Sequence, residues 1–87
     1  MDLNELRNEI NQIDDELLKL FLRRMDVSAQ VADYKKSNGL PIYQPQRERE
    51  ILETIEQKAG PVLGRYARDL FAKLMELSKD YQREVLK

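Results

Sequence analysis

Arg24, Ser28 and Lys35 stand four and seven residues apart within RRMDVSAQVADYKK, residues 23–36. On a helix they fall near one face, within about 17 Å of rise. Two cations on a half-apolar face need an anion. Ser78 and Gln82 form a second set, an i, i+4 pair flanked by Leu74, Leu77 and Tyr81, able to hydrogen-bond without adding charge. Arg47 and Glu48 form a third, just after Pro45, where the amide groups of a starting helix favour anionic or polar ligands. Each set has a plainer reading. Arg24 can bury its stem and send its head to water, Lys35 can complement a helix C-terminus, Ser78 and Gln82 can fix helix register, and QRERE at 46–50 can be a solvated face. What points to a ligand is the combination: cations, an amide and a hydroxyl beside apolar stripes on three helices, with Glu48 the one acid among them.

The absences narrow the chemistry further. The 87 residues include no Cys and no His, which removes disulfides, thiolate nucleophiles, the commonest general base and the commonest transition-metal ligand. Any catalysis must use Arg, Lys, Glu, Gln, Ser and Tyr. A formal net charge of −1 supplies no overall basic field for nucleic acid or an anionic membrane. There is no apolar run of about 18 residues and no cleavable signal pattern. A soluble, cytoplasmic protein with one domain over residues 1–87 is expected.

These groups must be positioned by helices. Leu3, Leu6, Ile10, Ile13, Leu17 and Leu20, then Val27, Val31 and Tyr34, recur in a three-and-four spacing, and Arg24 occupies the seam position between Leu20 and Val27. The spacing predicts a first helix from Asp2 or Asn4 to about Lys36, ended by SNG at 37–39. Such a helix spans roughly 50 Å, whereas a compact domain of this length has a radius of gyration near 12 Å by the usual scaling, roughly. It must protrude, and a second copy of the chain is the simplest cover for its seam. After the loop GLPIYQP, a second helix carries Glu48, Ile51, Leu52 and Ile55 and ends near Ala59-Gly60. A third, from Pro61, carries Leu63, Tyr66, Leu70, Leu74, Leu77, Tyr81 and Val85. The expected fold is all-α: three helices per chain, one very long, in an intertwined homodimer. Arg7 precedes Lys35 by 28 positions, about 42 Å along a straight helix. If both serve one small ligand, Arg7 must come from the partner subunit.

Read as a whole, the chain resembles the all-helical class of chorismate mutases. LRNEINQIDDELLKLFLRRMDVSAQVADYKK is similar to that family's first helix, LPIYQPQREREIL to its loop and second-helix entry, and LFAKLMELSKDYQ to its third helix. The specific signals are I-D-x-x-L-L, R-R, a following K, R-E and S-x-x-x-Q in that order. The resemblance implies a homodimer with two equivalent pockets, each completed by an N-terminal Arg of the other chain. It implies that Arg24 and the partner subunit's Arg7 hold the carboxylates of chorismate, with Ser78 assisting. Lys35 and Gln82 would donate to the ether oxygen, Glu48 would accept from the ring hydroxyl, and Arg47 would line the site. Gln44 departs from members that carry an acid there, which affects a secondary contact to that hydroxyl. Rearrangement of chorismate to prephenate needs no cofactor or metal. Two rivals remain: elimination of pyruvate from isochorismate on the same helices, and a non-catalytic helical dimerisation module in which Arg24 fixes register. Whether the chain is free-standing or part of a bifunctional fusion is not written in these residues.

Overall fold

The computed structural model describes residues 1–86, which form two helical elements, α1 (Leu3–Ser37) and α2 (Pro45–Val85). Helix α1 starts where the Asp2 side chain accepts a hydrogen bond from the Glu5 amide at 2.9 Å, satisfying one of the free donors of the first turn. It ends at Ser37, where the Asn38 amide bonds back to Tyr34 and Lys36 carbonyls. Gly39 then turns the chain with a φ of 66°, a conformation that costs glycine least. Lys35 and Lys36 lie in this last turn, where the helix dipole favours cations.

Helix α2 starts at Pro45, whose missing amide hydrogen costs nothing in a first turn. The expected second and third helices are a single element of 41 residues, so the described residues form two helices and not three. The expected boundary at Ala59-Gly60 is instead a bend: Gly60 has φ 88° and ψ 177°, and helical geometry resumes at Pro61. One residue makes the turn, which leaves no loop to separate two helices. The bend is sharp enough to bring Glu56 and Gly64 together, and Arg68 bridges it to Glu56 at 3.3 Å. The result is a first limb up to Gly60 and a second limb after it.

The two elements pack against each other over only part of α1. Extents of 54 × 27 × 14 Å and a radius of gyration of 16.0 Å describe an elongated molecule, against about 12 Å for a compact chain of this length. Among the described residues the buried apolar side chains are Ala32 and Met75 alone. Leu6, Ile10, Ile13 and Leu17, the seam of the N-terminal half of α1, are 43–55% exposed. Among the described residues no helix is long and apolar enough to cross a membrane.

Candidate active site

Where the C-terminal half of α1 meets both limbs of α2, a cleft of about 550 Å³ opens. Its floor is apolar, built from Leu20, Val27, Val31, Ile42, Ile51 and Met75. Its polar lining contains Arg24 and Lys35 from α1, Gln44 from the connecting loop, Arg47 and Glu48 from the first turns of α2, and Ser78 and Gln82 from the second limb. Ser28 lines it too, so eight of the nine residues singled out in the sequence share one cavity. Arg7 does not line it, lying between three and four turns up α1 from Leu20, roughly, and exposed to solvent.

The guanidinium of Arg24 is half-buried and donates through Nη1 to Ser78 Oγ across the helix interface. Ser78 is only 7% exposed, and its hydroxyl also lies 4.0 Å from Met25 Sδ. Arg24 has five donors and this bond uses one. Among the described residues no carboxylate pairs with it. Gln82, 6% exposed, donates through Nε2 to the Ser28 carbonyl at 3.0 Å, which holds the amide plane while one N–H remains free. Lys35 Nζ donates to the Ile42 carbonyl at 3.0 Å, tying the connecting loop to α1. Two of its three donors are left for a ligand.

Gln44 sits at the N-cap of α2 without a side-chain capping bond, so its amide is not engaged at the helix start. Glu48 accepts from Lys79 Nζ at 3.0 Å. Lys79 and Arg23 line the cleft as well and were not among the residues singled out. Lys79 follows Ser78 directly, and adjacent residues on a helix point about 100° apart, so spacing alone gave it no place on the same face. The clue available was electrostatic: a lone Glu48 among cations needs a counter-charge.

Five cations, Arg23, Arg24, Lys35, Arg47 and Lys79, surround one acid, Glu48. Lys79 compensates Glu48, and among the described residues no ion pair joins the other four to a carboxylate. A partly enclosed, apolar-floored cleft with uncompensated cations is arranged for a small anion with an apolar ring. Lys35 and Gln82 thus bring spare N–H donors to the cleft from α1 and from the second limb of α2.

The described residues thus define an all-helical protein with one cation-lined cleft. The chain belongs to the chorismate mutase type II family, whose model matches residues 6–83. It is 34% identical over 86 residues to a chorismate mutase of Methanocaldococcus jannaschii, covering 97% of this chain and 87% of that protein. It is 39% identical over 80 residues to the T-protein of Haemophilus influenzae, covering 80% of this chain and 21% of that protein. A bifunctional chorismate mutase/prephenate dehydratase of Aquifex aeolicus is 44% identical over 63 residues, or 72% of this chain and 17% of its own length. The chain thus spans about a fifth of the length of the T-protein and of the bifunctional relative.

Proposed function

We propose that this protein is a chorismate mutase, converting chorismate to prephenate as part of aromatic amino acid biosynthesis in the cytoplasm, through one domain over residues 1–87. The observation that carries this reading is the cleft itself: Arg24, Lys35 and Arg47 without carboxylate partners among the described residues, beside buried Ser78 and Gln82 and the single acid Glu48. The reaction is an intramolecular rearrangement in which the ether C–O bond breaks as a C–C bond forms, with no group gained or lost. It needs no nucleophile and no proton shuttle, so a chain without His or Cys is equipped for it.

In this reading Arg24 binds one ligand carboxylate, with Ser78 assisting, and holds the flexible enolpyruvyl arm over the ring. Restricting that arm removes much of the entropic part of the barrier. Lys35 and Gln82 donate to the ether oxygen, where negative charge grows as the bond lengthens. Glu48 accepts from the ring hydroxyl, Gln44 contributes a secondary contact to it, and Arg47 adds positive charge at the rim. No cofactor or metal takes part.

The second carboxylate falls to the partner subunit's Arg7 in an intertwined homodimer. Support comes from the uncovered seam of α1, which carries Leu6, Ile10 and Ile13 on the same half of the helix as Arg7. With Ala32 and Met75 the buried apolar side chains among the described residues, a lone chain leaves most of its apolar stripe in water. A second copy packed antiparallel would cover the seam and complete the cleft in one step.

The first test is to mix purified protein with chorismate, follow the loss of its ultraviolet absorbance and identify the product by chromatography. Prephenate is the expected product. A folded protein that leaves chorismate intact but releases salicylate and pyruvate from isochorismate would replace the mutase reading with the lyase. Inertness towards both would leave a helical dimerisation module.

A further inference from the structure

Lys79 Nζ stands 3.0 Å from Glu48 Oε1 and 4.4 Å from the centre of the Tyr43 ring. Three parts of the chain meet here: the second limb of α2 supplies Lys79, its first turns supply Glu48, and the connecting loop supplies Tyr43. The Lys79 and Glu48 side chains retain only 21% and 23% of their exposure, so water and salt screen this pair less than a surface pair. The face of the Tyr43 ring attracts the ammonium and holds it beside the carboxylate. The other ion pairs among the described residues, Arg68–Glu56, Lys73–Glu76 and Arg83–Asp80, lie at the surface away from the cleft. This pair lines it.

A carboxylate has two oxygens, and Lys79 engages Oε1. Oε2 remains for a ligand. What that oxygen can accept depends on the charge already present. An unpartnered Glu48 would attract a cation as readily as it accepts from a hydroxyl. A Glu48 neutralised by Lys79 still accepts from a hydroxyl, but a second ammonium on Oε2 would face the Lys79 ammonium across a single carboxylate. Like charges brought that close in a partly desolvated cleft repel strongly.

We propose that Lys79 is a specificity-determining residue: by compensating Glu48, it admits substrates with a neutral hydroxyl at the ring position facing that acid and rejects those with an ammonium there. The proposal rests on the mutase reading of the cleft and adds to it the reason one ring substituent is preferred. Rejection by repulsion is as much a part of specificity as attraction.

The test compares kcat/KM for chorismate with kcat/KM for its analogue bearing an amine in place of the ring hydroxyl, a group protonated at neutral pH. Both are measured on the unaltered protein and on Lys79→Met, which keeps the apolar stem and removes the charge, with Lys79→Gln as a second neutral variant. Both variants are expected to raise the amine-to-hydroxyl ratio by about tenfold or more, and Lys79→Arg to keep the original ratio. Structural damage would lower both rates together and leave the ratio unmoved. An unchanged ratio in variants that still rearrange chorismate overturns the proposal while the mutase reading stands. Failure of the unaltered protein to rearrange chorismate overturns both.

Discussion

At the scale of single residues, three of the cleft's donors each have one protein partner and capacity to spare. Arg24, Lys35 and Gln82 each make one bond, to Ser78, to the Ile42 carbonyl and to the Ser28 carbonyl. Those bonds fix direction, so that in the proposed reading the remaining donors are already oriented for the ligand. Lys35 therefore has two separable functions. Lys35→Ala is expected to cost about 1 kcal/mol of stability from the lost loop tether, and on the order of a hundredfold or more in turnover from the lost donor. Chemical denaturation beside steady-state kinetics checks the pair, and near-full turnover would remove Lys35 from the catalytic set. Gln82 donates through a neutral amide, so the rate should not require acid pH. Gln82→Glu places a carboxyl group there that donates only when protonated. Its activity should survive at acid pH and fall by up to tenfold per unit as pH rises through the neutral range, roughly. A variant with the profile of the unaltered protein would argue that Gln82 does not contact the reacting atoms.

At the scale of elements, the position of Ser78, Lys79 and Gln82 is decided at the bend of α2. Two glycines serve it for different reasons. Gly60 has room around it, but its φ of 88° with ψ 177° suits glycine almost alone. Gly64 has helical angles and no room: a Cβ there would lie 2.7 Å from the Glu56 carbonyl oxygen and 3.0 Å from Glu56 Cγ. The side chain could move, but the carbonyl belongs to the helix backbone. Gly64→Ala should therefore force the limbs apart, destabilising the fold by roughly 1–3 kcal/mol. The thermal midpoint should fall by about 5 °C or more. An unchanged midpoint would mean that the limbs pack less closely at this point than the structure has them. The position of Pro61 fits the same picture, since a first-turn proline restarts the helix at no hydrogen-bonding cost.

At the scale of the whole molecule, an exposed apolar stripe carries the arginine that the proposed reading assigns to the partner's cleft. Residues 6–17 present leucines and isoleucines to solvent, and Arg7 lies among them. If a second copy covers this stripe, Arg7→Ala and Lys35→Ala chains, each inactive alone, should complement when mixed. A mixed dimer has one cleft with both residues intact. Subunit exchange should then restore up to roughly a quarter of full activity, the statistical limit for a two-fold dimer. Proven exchange without recovered activity would show that the cleft is complete within one chain.

Local and periodic features were legible from the residues alone. The Asp2 cap, the Gly39 stop, the Pro45 start and the run of α1 follow from short-range hydrogen bonding and side-chain spacing, which a linear chain displays directly. Arg24 stood out because it occupies a seam position, and Lys35, Ser78 and Gln82 because they lie beside apolar stripes at helical spacing. The bend of α2 was not read correctly, because a glycine followed by proline marks a break in helical geometry without saying whether a loop intervenes. Lys79 was invisible for a related reason. Its partners, Glu48 and Tyr43, are 31 and 36 positions away, and no periodicity connects residues on two limbs and a loop. Spacing along one helix can be read from the chain, but which charge faces which across a cleft is decided only when the bend brings the limbs together.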